Sequence, residues 1–412
     1  MTDPLDRPGR NELIEGLEAI ATPDAPPMAE LRRRRRNRRV RRRGGALVVA
    51  LAVVGGLAVA LPASETEVET AAFPEGLLTL PSAAVAVDDD GAGVAGSAAW
   101  TWRPADSLQA RDGSTTGVAL RRNAESSDVL VYLLDGGICL DAETCDRHDA
   151  DYDAEDFARD TAEGGLLSQG VFDVDEGYFR DWNVVAIPNA NGDLHLGRSA
   201  DPAAAGDATQ HFVGAQNVAR VLRSIAGQED ARVDRVLLAG SGAGGLGVYG
   251  TIGRLREIFP TTEIAALIDG APLPGSARLP SMCLAEQWDA RWNLGPPDRW
   301  IAPVPPATIG FSAFYAQLAD RHPDVRFGLA ATRVPGRLAE VLAAEPAACD
   351  PLGDDATAQW PSLIDALGPD VDALLNWSVA TFDRAEPVLA APLDDADTGR
   401  LHAVLDELLE TP

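Results

Sequence analysis

The sequence predicts an α/β protein with a mostly parallel sheet and helices on both faces. Three observations point there. Short apolar runs, such as Asp128–Leu134 (DVLVYLL) and Asp181–Pro188 (DWNVVAIP), alternate with segments of helical period such as Val213–Ile225, the pattern of βαβ units. One stretch, Val233–Gly250 (VDRVLLAGSGAGGLGVYG), carries an apolar run through a glycine cluster into a helix-like segment, Val248–Phe259. The chain of 412 residues has length for one large α/β body plus appendages.

Residues 1–43 are a polar, Arg-rich lead in which Asn11–Ile20 fits a short amphipathic helix. Ten Arg fall within twelve positions of LRRRRRNRRVRRRGG (Leu31–Gly45). Alone, such a run reads as a nuclear signal or nucleic-acid arm; its neighbour redirects the reading. Residues 44–63 are uncharged and almost wholly apolar, about the length that crosses ~30 Å of hydrocarbon. Arg on one flank and Glu65, Glu67 and Glu69 on the other place the N-terminus in the cytoplasm. The expected location is the cell membrane, single-pass, with an extracytoplasmic body. A cleaved signal ending near Ala58-Val59-Ala60 would secrete the same body. No Lys occurs; residues 1–44 hold 12 Arg against 7 acidic residues, and the remainder 23 Arg against 56. So acidic a body repels nucleic-acid phosphate, and no nucleic-acid partner is expected.

Residues 64–98 read as a linker and residues 99–412 as the α/β domain. Trp100–Arg122 carries strand-like runs around a turn, with GSTTG (Gly113–Gly117) at its tip. Strand Asp128–Leu134 ends in Asp135-Gly136-Gly137-Ile138-Cys139, and Asp181–Pro188 leads into NANGDLHLG (Asn189–Gly197). Glu263–Ile268 is a strand ending at Asp269. Residues 272–310, rich in Pro and Trp, form an excursion above the sheet. Gly310–Asp320 is helix, Val325–Ala331 strand, and Arg337–Ala344, Ser362–Leu367 and Val371–Leu375 are helical. Pro387–Ala391 is expected as a last strand before a final helix, Thr398–Leu409. Four Cys in an exported body favour disulfides. Cys139 and Cys145 close a short loop, which leaves Cys283 with Cys349, one of three connectivities.

Two chemistries use a strand, a glycine turn and a helix. One is a nucleophile elbow, which lifts a serine above the sheet. The other is a dinucleotide site, because Gly240, Gly242 and Gly245 spell G-x-G-x-x-G and the next strand ends in an acid, Asp269. The run Asp149-x-Asp151-x-Asp153-x-Glu155, with Asp160, resembles a calcium loop, but Ala154 stands where the turn glycine belongs. It reads as a solvated acidic face. No metal and no cofactor are expected.

A series of motifs then narrows the choice. In order they are WTWRP (Trp100–Pro104), DGSTTGVALRRN (Asp112–Asn123), VYLLDGGICLDAETC (Val131–Cys145) and GVFDVDEGYFRDWNVVAIPNANGDLHLG (Gly170–Gly197). The helix containing Asn217, then VLLAGSGAGGLG, IDGAPLPG (Ile268–Gly275) and LPSMCLAEQW (Leu279–Trp288) complete the series. Over roughly residues 100–290 this order resembles the pectinacetylesterase family, which includes the Notum lipid deacylases. The resemblance implies an α/β-hydrolase fold and deacylation by a Ser-His-Asp triad, with an oxyanion held by backbone N–H groups. Its expected partner is an acylated carbohydrate or other small ester.

Four departures stand against activity. Aligned to the family's elbow, the nucleophile position is Gly242. The first glycine of the oxyanion loop is Asp135, whose charge opposes an oxyanion. Asn189-Ala190 replaces the family's usual Tyr-Cys, and TRVPGRL after Val325–Ala331 offers no acid. A register shifted by one residue makes Ser241 the nucleophile, His402 its base and Asp269 the orienting acid. Gly136, Gly137, Ile138, Gly242, Ala243, Asp193 and His195 would line the oxyanion site and pocket, with His195 ordering its loop. His148, His211 and His322 read as surface or loop residues. The competing hypothesis is a degenerate family member that binds glycan or lipid without turnover.

Overall fold

The computed structural model describes residues 100–140, 142–199, 210–227, 233–272, 282–294, 311–334, 360–362, 364–367, 371–372, 374 and 376–410. The membrane segment 44–63, the linker 64–98, the helix expected at Arg337–Ala344, most of the 272–310 excursion and Cys349 lie outside them. Among the described residues no helix is long and apolar enough to cross a membrane.

Eight strands form one sheet: β1 (Thr101–Gln109), β2 (Thr115–Arg121), β3 (Asp128–Leu133), β4 (Asn183–Ile187), β5 (Arg235–Ser241), β6 (Glu263–Asp269), β7 (Val325–Thr332) and β8 (Trp377–Phe382). Their order is β1-β2-β4-β3-β5-β6-β7-β8. Strand β2 runs antiparallel to both β1 and β4, and every later pairing is parallel. That order, with helices between the parallel strands, is the α/β-hydrolase arrangement anticipated above. Helices among the described residues include α1 (Ala142–Asp146), α2 (Ala154–Thr161), α3 (Gly214–Ala226), α4 (Ala243–Ile258), α5 (Met282–Trp292), α6 (Phe311–Arg321) and α7 (Asp395–Leu409).

The central strands are apolar throughout because both of their faces are covered. Alternate residues face opposite sides. Val131, Leu133, Leu238 and Ile268 share one core with Val218 and Leu222 of α3 and Val248 and Ile252 of α4. Tyr132, Leu237, Ala239 and Leu267 share the other with Phe172, Phe179 and Leu401, Val404 and Leu405 of α7. This alternation later decides which way Ser241 points.

Two expectations need correcting. The last strand is Trp377–Phe382, and Pro387–Ala391 is the turn that follows it. Pro387 cannot donate to a sheet ladder, and Val388 and Leu389 are buried as a loop against the second core. In the β1–β2 hairpin the tip is residues 110–114, earlier than GSTTG suggests: Thr115, Thr116 and Gly117 already belong to β2. The acidic run also has a definite role. Asp153 caps α2 by accepting from the Glu155 and Asp156 amides, and Asp160 is buried against the Tyr152 hydroxyl at 2.6 Å. Cys139 and Cys145 are disulfide-bonded; the Cys283 side chain lies outside the described residues.

Candidate functional site

The chain reverses its direction of addition at β3, which has β4 on one side and β5 on the other. Such a switch opens a crevice at the carboxyl ends of the strands. The loop Asp135–Cys139 after β3 and the elbow after β5 both lie there, so the two segments meet.

Gly242 forms the elbow's apex, with φ 54° and ψ −117°. That conformation costs a residue with a side chain about 1–3 kcal/mol and costs glycine little. A Cβ built on Gly242 would stand 2.5 Å from the Asp135 Cγ and collide with its carboxylate. The place an attacking side chain would occupy is therefore filled from across the crevice. Asp135 Oδ1 accepts from the amides of Gly136 at 2.8 Å, Gly137 at 3.2 Å and Ala243 at 3.1 Å. Two oxyanion-loop amides and the amide after the apex are the donors a hydrolase of this design aims at a developing oxyanion. Here a resident carboxylate satisfies them. The same carboxylate blocks the dinucleotide reading through Gly240, Gly242 and Gly245, since it sits where a pyrophosphate would meet the α4 N-terminus. Ile138, in the same loop, is buried.

Ser241 does not stand at the apex. It is the last residue of β5, and the twofold alternation turns it onto the α7 side of the sheet, where it is 2% exposed. Its hydroxyl donates to Asp269 Oδ2 at 2.6 Å and accepts from the Tyr132 hydroxyl at 2.8 Å. Asp269, the register partner of Ser241 on β6, also accepts from the amides of Val388 (2.8 Å) and Leu389 (2.9 Å). Burial raises its pKa to about 6 against the pull of these bonds. Asp269 thus fastens the post-β8 turn to the elbow. Sequence reading missed Tyr132 and these two amides; the one available signal was a hydroxyl inside the apolar run DVLVYLL.

The structure brings Ser241 and Asp269 together but not His402. That ring packs on Tyr178, with centroids 5.1 Å apart. Helix α7 runs from the carboxyl end of the sheet towards Arg326 at the start of β7, which bonds the Glu410 carbonyl. Seven residues into the helix, His402 lies ~10 Å along it from the catalytic edge. The chain has five His, and all five are among the described residues. The His148 Nδ1 meets the Asp149 carbonyl at 2.5 Å. His211 lies beside Gly113, and His322 beside Gly253. His195 donates through Nε2 to the Leu134 carbonyl at 2.9 Å. Among the described residues no imidazole bonds Ser241, Asp269 or Asp135.

His195 and Asp193 serve the architecture of the loop. Leu194 and His195 both adopt φ 59°, an uncommon left-handed pair for non-glycine residues. Asp193, fully buried, accepts from the Gly214 amide at 2.8 Å. Burial raises its pKa to about 7 and lowers that of His195 to about 4. The His195 ring braces the residue just before Asp135.

These raised carboxylates fix a pH dependence. Asp193 and Asp269 hold protons in the folded state at pH values where the unfolded chain has released them. Their contribution is fully present below about pH 4 and is lost as pH rises to about 7. In high salt, where surface repulsion is screened, the thermal midpoint is expected to fall between pH 4.5 and 7.5. Asp193→Asn should flatten that slope; an unchanged slope would refute the assignment.

Residues 104–271 match the model of the family described as pectinacetylesterase. This segment is similar to the pectinacetylesterase family. Similar proteins include the human palmitoleoyl-protein carboxylesterase NOTUM, 30% identical over 173 residues (40% of this chain and 34% of the relative). The mouse protein of that name is 27% identical over 40% of this chain and 33% of its own length. The palmitoleoyl-protein carboxylesterase notum1' of Xenopus laevis is 28% identical, again over 40% of this chain and 34% of the relative. The chain spans about a third of the length of these relatives. A crystal structure of the Wnt deacylase Notum from Drosophila superposes with a TM-score of 0.48 and 18% identity, covering 72% of this chain and 87% of that one. Within the matched residues 104–271 lie β3, β5, the Asp135 loop and the elbow.

Proposed function

We propose that this chain is a pectinacetylesterase-family protein that binds an acyl-bearing ligand without hydrolysing it. One observation carries the reading: the Asp135 carboxylate occupies both the space above Gly242 and the three amides that would stabilise a tetrahedral oxyanion. Hydrolysis of an ester needs an attacking oxygen, a base to take its proton and an empty oxyanion site. Gly242 supplies no oxygen. The Ser241 hydroxyl is committed to Asp269. The family and the names of the relatives suggest the ligand class, an acyl ester on polysaccharide or protein. Our reading of its setting is an exported body tethered by residues 44–63. The Cys139–Cys145 disulfide supports an oxidising compartment.

The test treats the full-length chain with a chromogenic acetyl ester and a fluorophosphonate probe. Wild type and Ser241→Ala should be equally inert, since losing nucleophile and base together removes on the order of 10⁶ in rate. Labelling of wild type that disappears in Ser241→Ala would establish hydrolysis by the shifted serine.

A further inference from the structure

Asp135 has two carboxylate oxygens, and they are used differently. Oδ1 accepts all three amides, from Gly136, Gly137 and Ala243. Oδ2 accepts no hydrogen bond among the described residues. It is the atom nearest a Cβ built on Gly242, so it stands beside the place of the family's attacking oxygen. Gly242 has no side chain to cover it. Asp135 is half-buried and Gly136 exposed, so the crevice is open to small molecules on that side.

A positioned carboxylate is a nucleophile in covalent catalysis. Three bonds to Oδ1 fix its direction, and a fixed direction lowers the entropic part of the barrier. The arrangement also selects the electrophile. Attack on an ester carbonyl would create a second anionic oxygen, and the donors for one are already taken by Oδ1. Attack on a saturated carbon creates no such oxyanion, because the charge leaves with the departing group. An epoxide supplies such a carbon, with ring strain to drive the departure of its oxygen and water at the half-exposed site to protonate it.

We propose that Asp135 is a carboxylate nucleophile toward epoxides, an activity separate from the binding of an acyl ester. The Oδ2 electron pair forms a bond to the less substituted ring carbon, and that carbon's bond to the ring oxygen breaks. The ring oxygen keeps the bonding pair and takes a proton from water, leaving hydroxide and a 2-hydroxyalkyl ester on Asp135. Nothing is oxidised or reduced. The carbonyl oxygen of the new ester is Oδ1, still held by the three amides. Hydrolysis of that ester needs a base to activate water, and among the described residues no imidazole bonds Asp135. The ester therefore persists, and the reaction stops after one equivalent.

The test treats the full-length chain with phenyl glycidyl ether and follows its intact mass. The chain has no Lys, so adducts on carboxylates are read against little amine background. One adduct per chain is expected, mapped to Asp135 by peptide mass spectrometry and released by alkaline hydroxylamine, as an ester is. Asp135→Asn keeps an acceptor oxygen for the three amides and should lower labelling at least tenfold. Mapping of the wild-type adduct decides the matter should that variant fail to fold. The proposal is overturned by absence of an adduct at Asp135, by adducts spread evenly over the acidic residues, or by an adduct that resists hydroxylamine. Unchanged labelling of folded Asp135→Asn, or return of the unmodified mass once the reagent is removed, would overturn it equally.

Discussion

Asp269→Ala is expected to destabilise the domain by about 3–5 kcal/mol, the cost of leaving buried hydrogen-bond donors without an acceptor. Three donors depend on this carboxylate: the Ser241 hydroxyl and the amides of Val388 and Leu389. All are buried, so water does not replace what is removed. The amides belong to the turn between β8 and α7, hence the damage should concentrate there, as early hydrogen exchange in residues 387–391. Asp269→Asn keeps the volume but turns one oxygen into a donor facing donors, and should lose about half as much. Ser241→Ala removes the hydroxyl that joins Asp269 to Tyr132 and should cost about 1–2 kcal/mol. Tyr132→Phe should cost a similar amount, and the double variant less than the sum, because one hydrogen bond is counted in both. Urea unfolding of the five variants measures these losses. Were Ser241→Ala as harmful as Asp269→Ala, Asp269 would not be the hub of the network.

How much of this could be read from residues alone depended on whether the cause was local. The central strands were legible because doubly covered strands are continuously apolar, and Asp128–Leu133 or Glu263–Asp269 admits few other readings. Strand β8 was not. WSVATF lies at the sheet's edge, paired only with β7, and mixes buried with half-buried residues, whereas the turn PVLAA looks more like a core strand. The apex at Gly242 followed from motif order. The fate of Ser241 did not, because its direction is set by strand alternation and by registers with β3 and β6. Asp135 was legible as a misplaced charge. That it would complete the oxyanion site rather than oppose it depends on the Ala243 amide, 108 residues away.

Gly242→Ser, the substitution that restores the family's attacking residue, is expected to fail alone. The new Cβ enters space held by the Asp135 carboxylate, and the φ of 54° adds strain that glycine escapes. A loss of about 2–4 kcal/mol is expected, with no fluorophosphonate labelling. Asp135→Gly empties the site but strands the amides of Gly136, Gly137 and Ala243; Gly136 is exposed, so water can reach that loop and the loss should be smaller. The double variant should be more stable than the two single losses predict, by at least 1 kcal/mol, because the collision exists only when both native and new side chains are present. Labelling should remain far below that of a working esterase even there. The serine would at last face an open set of three donors, which alone can leave a residual 10³–10⁴ over water. It would still lack a base, since the five imidazoles are placed elsewhere and the post-β8 turn from Asp383 to Asp394 contains none. A His introduced in that turn at Val388, beside Asp269, is then the further step that should raise labelling, whereas strong labelling of Gly242→Ser alone would show that Asp135 does not hold the site closed.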